Sequence, residues 1–68
     1  MILYINGKQI TVPLRKSTIQ GVLDGLQLSS IGRIIEYNGK LISSTEFNNQ
    51  NVTENDCIEI IQFMGGGS

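Results

Sequence analysis

Three consecutive glycines, Gly65, Gly66 and Gly67, followed by Ser68, are the part of this chain best suited to a reaction. Glycine brings conformational freedom and no side chain. Such a stretch could thread a narrow channel in another protein and carry a terminal carboxylate to a reactive centre. Three or four extended residues reach roughly 10–14 Å. The same pattern also fits a frayed terminus or a Gly-Ser linker unit, and composition leaves both readings open. Cys57 is the lone thiol. No base or cationic cluster near it in sequence would activate it, so it reads as a small apolar filler at the start of a strand. Asp24, Glu54 and Asp56 read as solvated carboxylates on a helix surface and in turns. Arg15 and Lys16 read as surface charges.

What is missing narrows the chemistry further. The 68 residues include no histidine and no tryptophan. Without His, and with one Cys, a zinc finger or knuckle is excluded, as is a hydrolase built on a Cys–His or Ser–His–Asp arrangement. One thiol cannot close an intramolecular disulfide, which argues against a secreted, cross-linked mini-protein. Five Lys or Arg against six Asp or Glu leave no basic surface for a phosphate backbone, so nucleic acid is not an expected partner. Apolar runs of two to four residues are too short to span a membrane, and the opening MILYINGKQI does not have the layout of a signal peptide. A chain this short buries only about 60% of the surface its unfolded form exposes, which leaves little room for an enclosed active site. A non-catalytic soluble module is the expectation, with no bound metal or cofactor.

The elements that must position the tail follow from the hydrophobic pattern. Residues 1–6 alternate as a strand, and Asn6-Gly7 marks a two-residue hairpin turn. The return strand runs Lys8 to Val12, and Pro13 ends it by removing a backbone donor. Ser17-Thr18-Ile19-Gln20 matches a capping box with Ser17 as the cap. Ile19, Val22, Leu23 and Leu26 then fall on one helical stripe. Gly21 and Gly25 each weaken that helix by roughly 1 kcal/mol relative to Ala, so it depends on docking against a sheet. A third strand, Arg33 to Tyr37, closes on a second Asn-Gly pair, Asn38-Gly39, and Lys40 to Ile42 continues extended. Ser43 to Glu54 is polar and reads as an irregular link holding a short helical turn, with one apolar anchor, Phe47. The last strand, Cys57 to Phe63, is rich in Ile.

The helix lies between two strand pairs, and a crossover of roughly twenty residues is long enough to join parallel strands. Pairing the first and last strands in parallel at the centre gives an α+β fold of the β-grasp, or ubiquitin-like, type. It is a mixed sheet of four to five strands with one main helix packed on one face. Residues 1–63 form this body and residues 64–68 the glycine-rich tail, in a single domain. In the last strand, alternation puts Ile58 and Ile60 on one face and Cys57, Glu59, Ile61 and Phe63 on the other. Glu59 marks its face as the one turned from the helix. Ile61 and Phe63 then form an exposed apolar patch beside the tail, the usual sign of an interaction site. Tyr4 and Ile2, on the outward parity of the neighbouring strand, extend it.

Read in order, the opening Met1 to Lys8, the helix start Ser17-Thr18-Ile19, the strand and turn from Ile34 to Ile42, the run Asn55 to Ile61 and the closing Phe63-Met64-Gly65-Gly66-Gly67 resemble the ThiS family. That family comprises the ubiquitin-like sulfur carriers of thiamine biosynthesis. The resemblance spans the whole chain, and its glycine tail is the most specific part. It implies a protein co-substrate rather than an enzyme. A ThiF-like adenylyltransferase would use ATP to adenylate the carboxylate of Gly67. Sulfur derived from cysteine would convert it to a thiocarboxylate, and a ThiG-like thiazole synthase would take that sulfur. Gly65 and Gly66 would thread the partner's channel, and Ile61, Phe63, Met64 and Tyr4 would contact its surface. The setting would be cytoplasmic, or the plastid stroma for a plastid-encoded copy. The chain departs from the family in carrying Ser68, which must be lost before Gly67 presents a carboxylate. A MoaD-like carrier serving molybdopterin, and a β-grasp interaction module with a linker tail, are the alternatives.

Overall fold

The structure, a computed structural model, describes residues 1–14 and 17–62. Its elements are β1 (Ile2–Ile5), β2 (Lys8–Thr11), α1 (Ile19–Gly25), β3 (Arg33–Tyr37), β4 (Lys40–Ile42), a 3-10 turn (Ser44–Glu46) and β5 (Cys57–Gln62). The strands form one sheet in the order β2-β1-β5-β3-β4. β1 and β5 run parallel, with Tyr4 beside Cys57 and Ile5 beside Ile58, and the other pairings are antiparallel. This is the expected β-grasp sheet, with all five strands formed. β5, which leads into the tail, lies at its centre.

Both Asn-Gly pairs make the turns their chemistry favours. Positive φ is adopted at Asn6 (51°) and Gly7 (80°), and again at Asn38 (49°) and Gly39 (86°), as a type I′ turn requires. The two asparagines also do something their turn role does not require. The Asn6 amide donates to the carbonyl of Ile60 at 3.2 Å and accepts from the N–H of Ile60 at 2.7 Å. It thereby extends the β1–β5 ladder past the end of β1. Asn38 Oδ1 accepts from the N–H of Cys57 at 2.8 Å. Each hairpin tip thus clamps one side of the central strand.

The helix cap sits one residue later than the capping-box pattern predicts. Thr18, extended at φ −120° and ψ 164°, is the N-cap, and its Oγ1 accepts from the N–H of Gly21. The expected reciprocal contact from Gln20 to Ser17 is replaced. Gln20 Nε2 donates instead to Asp24 Oδ1, one turn along the helix, at 2.9 Å. The reason lies in the long link. Its backbone supplies carbonyls to the first helical N–H groups, Gln50 to Ile19 and Phe47 to Gln20, while Ser17 offers its own carbonyl to the N–H of Val52. Those bonds fix where the helix starts and satisfy donors that a helix end otherwise leaves unpaired. At the other end Gln27 takes φ 60°. Its N–H donates to the Asp24 carbonyl, and that of Leu28 to the Leu23 carbonyl, the paired bonds of a Schellman stop.

The core lies between α1 and one sheet face. Leu3, Ile5, Ile35 and Ile58 from the sheet meet Ile19, Val22 and Leu23 from the helix, all fully or nearly buried. Phe47, 1% exposed, is the expected anchor of the link. Val52, at 3%, is a second anchor that the polar surroundings of residues 48–54 conceal.

Asp56, expected to be a solvated turn carboxylate, is instead a partly buried hub at the start of β5. It accepts from the Tyr37 hydroxyl at 2.6 Å, the Thr53 N–H at 2.7 Å, the Thr53 hydroxyl at 3.2 Å and the Asn38 amide at 3.3 Å. Burial alone would raise its pKa. The hydrogen bonds from Tyr37, Thr53 and Asn38 outweigh that and hold it below the ordinary 3.8. The same contact, with burial and the carboxylate's charge, pushes the Tyr37 phenol up to about 12. Asp56 therefore contributes stability that is complete above its unfolded value and is lost as pH falls through the lower native one. Tyr37 contributes stability that is present below its unfolded value of 10.0 and lost as pH rises toward the native one. Asp56→Asn should lower stability by about 1–3 kcal/mol at neutral pH and flatten the acid limb of a urea-midpoint profile between pH 2 and 7. An acid limb as steep as wild type would assign that limb to other carboxylates.

Candidate functional site

Strand alternation and register together set the composition of the sheet face opposite the helix. It carries Ile2 and Tyr4 from β1, Ile34 and Glu36 from β3, Leu41 from β4, and Cys57, Glu59 and Ile61 from β5. Ile58, the next residue along from Cys57, is buried at 1%, while Ile61 is 46% exposed. The expected parity of β5 therefore holds, with Glu59 on the outward face. Cys57 is exposed, which corrects its reading as an apolar filler. The alternation that turns Glu59 outward turns Cys57 outward too, and this outweighs the usual preference of a free thiol for burial.

Of the expected partner contacts, Ile61 and Tyr4 share this face but do not adjoin. Tyr4, 36% exposed, is beside Cys57. Ile61 lies four residues further along β5, about 13 Å away, with Glu59 between them. The apolar neighbours of Ile61 come from elsewhere. Ile34, 39% exposed, is directly opposite it on β3. Leu41, 65% exposed, lies on the far side of β3 opposite Glu36. Sequence reading missed both because their proximity depends on the β3–β5 and β3–β4 registers. The signal available was the outward parity of Ile34 within a strand whose Ile35 is inward.

The last described residue, Gln62, pairs with Arg33. Next to that pair lies a shallow groove of about 460 Å³ lined by Ser30, Ile31, Gly32, Arg33, Ile34 and Ser44. The Arg33 guanidinium is tied back to the carbonyl of Ser29. The contacts expected of Phe63 and Met64, the threading role of Gly65 and Gly66, the attachment point Gly67, and Ser68 all lie outside the described residues, as do Arg15 and Lys16. Among the described residues no group of three or more Cys, Asp or Glu is gathered to hold a metal ion. Nor is any helix there long and apolar enough to cross a membrane.

This arrangement has counterparts of known family. A sequence model of the ThiS family matches residues 3–67. The sulfur carrier protein ThiS of Bacillus subtilis (strain 168) is 33% identical over 66 residues, spanning 97% of this chain and all of that protein. The crystal structure of the thiamine biosynthesis protein ThiS from Geobacter metallireducens matches with a TM-score of 0.82 at 32% identity, over 98% of this chain and 100% of that one. A solution structure of a thiamine biosynthesis protein from the same organism matches with a TM-score of 0.78 at 31% identity, over 100% of this chain and 90% of that one. With the match running from β1 through the glycine tail and the β-grasp sheet in place, the chain belongs to the ThiS family of ubiquitin-like sulfur carriers.

Proposed function

We propose that this protein carries sulfur as a thiocarboxylate on Gly67, once Ser68 has been removed, and delivers it for thiazole formation in thiamine biosynthesis. The observation that carries the reading is the extent of the family match, which includes Gly65, Gly66 and Gly67 and stops one residue short of Ser68. The fold suits the task, because the central strand, clamped on both sides, leads directly into the tail. The names of the relatives, a sulfur carrier and thiamine biosynthesis proteins, favour a thiazole acceptor over a molybdopterin one.

The chemistry suits glycine. A free carboxylate is a poor electrophile. A ThiF-like adenylyltransferase would join it to the AMP moiety of ATP with release of pyrophosphate. Sulfur drawn from cysteine, arriving at the oxidation level of sulfide, would then attack the acyl carbon. A C–S bond forms, the C–O bond to AMP breaks, and AMP departs. Glycine presents the least hindered carbonyl for both steps. A ThiG-like thiazole synthase would accept the sulfur. The protein itself is the co-substrate, binds no cofactor and needs no catalytic group, and ATP is used by its partner. The reaction belongs in an ATP-containing compartment, the cytoplasm or a plastid stroma.

Intact mass of the untagged protein isolated from its own cells tests this. The expected spectrum shows a chain ending at Gly67, with a fraction in which one oxygen is exchanged for one sulfur. A single species that keeps Ser68, unchanged after incubation with ATP, cysteine and the adenylyltransferase, would overturn the proposal and leave an interaction module.

A further inference from the structure

Two carboxylates stand side by side on the open face. Glu36 of β3 is directly opposite Glu59 of β5, an arrangement of like charges that destabilises a strand pair. Among the described residues neither has a cation from its own face. The outward strand residues Ile2, Tyr4, Gln9, Thr11, Cys57 and Leu41 include no Lys or Arg. Lys8, Arg33 and Lys40 pair across the sheet with Ile5, Gln62 and Tyr37, and so belong to the opposite parity. The two carboxylates are also framed by exposed apolar groups. The Ile34–Ile61 pair lies on the side toward the end of β5, and Leu41 lies across from Glu36.

We propose that Glu36 and Glu59 together receive one Arg or Lys side chain of the adenylyltransferase that takes up the C-terminal tail, with Ile34, Ile61 and Leu41 as the apolar rim of that contact. The proposal rests on the carrier reading given above and deepens it by naming how the partner is recognised. The length of chain beyond the sheet supports this occupant. Five residues run from Gln62 to a chain end at Gly67, about 17 Å when fully extended, and Glu59 is three residues back along β5, about 10 Å. A globular partner holding the tail end in its active site therefore lies within reach of this part of the sheet. Charge supports it as well. Among the described residues the strands give this face two negative charges and no positive one, so a complementary surface brings a cation. The planar guanidinium of Arg, with several donors, can bridge two carboxylates at once. Once the apolar rim excludes water, that contact is stronger than an exposed ion pair, and the repulsion between the two glutamates is relieved only in the complex.

The test uses the carrier ending at Gly67, the adenylyltransferase from the same cells, and pyrophosphate release as the readout. Glu36→Gln and Glu59→Gln keep size and shape while removing charge. Each single variant should raise KM for the carrier about tenfold and the double variant about a hundredfold, with kcat unchanged because the chemistry is at the tail. The KM of the double variant should also lose most of its dependence on salt. Its urea midpoint should equal or exceed that of wild type, since a repulsion has been removed. A double variant with wild-type KM and salt dependence overturns the inference and leaves the carrier function standing. A fall in kcat at unchanged KM, or a clear loss of stability, also overturns it, by giving the glutamates a positioning or structural role instead. No pyrophosphate release from the wild-type chain removes both the inference and the reading beneath it.

Discussion

A chain cut after Gly65 should form no thiocarboxylate, yet melt at the same temperature as the intact protein. The cut removes Gly66 and Gly67 and draws the terminal carboxylate back by about 7 Å, at 3.3–3.6 Å per extended residue. Group transfer tolerates no such displacement. A misplacement of about 1 Å can already lower a rate about a hundredfold, so the truncated tail leaves the carboxylate outside any site built for the intact one. The elements of the folded body are built from other residues. Its core is made by side chains from Leu3 to Ile58, and β5 ends at Gln62. Stability should therefore stay within about 0.5 kcal/mol of wild type. The pair of measurements is thermal unfolding, and intact mass after incubation with ATP, the adenylyltransferase and a cysteine-derived sulfur source. A truncated chain that still gains sulfur would move the attachment chemistry away from Gly67. A companion variant, Gly67→Val in a chain ending at that residue, keeps the reach and adds only a branched side chain. It should lose most of the product too, because the acyl carbon then lies beside a β-branched group.

The parts of this molecule governed by local chemistry could be read from the sequence. Both Asn-Gly turns demanded positive φ at adjacent residues and formed accordingly, and the stripe from Ile19 to Leu23 placed the helix on the sheet. The helix cap was misplaced by one residue because Ser17 and Thr18 both suit a cap, and the choice was made by carbonyls of a link some thirty residues away. Val52 was hidden by its polar neighbours, and Asp56 by the convention that carboxylates in turns are solvated. Alternation with Glu59 did turn Cys57 outward, and reading it as an apolar filler set the general habit of a free thiol above that parity. The Glu36–Glu59 pair is a different case. It exists only because β3 and β5 meet in one register, and nothing within either strand specifies the other. The bracing of β5 by Asn6 and Asn38 was equally out of reach, since a turn asparagine is normally explained by its own backbone.

Phe47→Ala should be the most damaging single change in the body, although Phe47 lies in the link rather than in the helix or any strand. Truncating a buried phenylalanine removes about 3–5 kcal/mol, through lost transfer energy and the cavity left behind. Domains hold roughly 0.05–0.15 kcal/mol per residue, about 3–10 kcal/mol at this size, so the loss takes a large share of the total. At about 4–8 °C per kcal/mol for a domain of this length, the melting temperature should fall by about 12 °C or more. A second consequence follows from the backbone. The Phe47 carbonyl accepts from Gln20 and the Gln50 carbonyl from Ile19, so a link that lifts away also uncaps a helix of seven residues. A helix that short does not persist without its docked face, so helical and sheet signals should vanish in one transition. Leu41→Ala is the informative contrast. Leu41 is 65% exposed, and its loss should change stability by no more than about 0.5 kcal/mol. Circular dichroism melts of the two variants check the pair. If Phe47→Ala melts near wild type, residues 43–54 would be a passive tether, and the helix would need another source for its capping bonds. The expected result makes the link the part that holds the helix against the sheet, leaving the opposite face open for whatever the tail is delivered to.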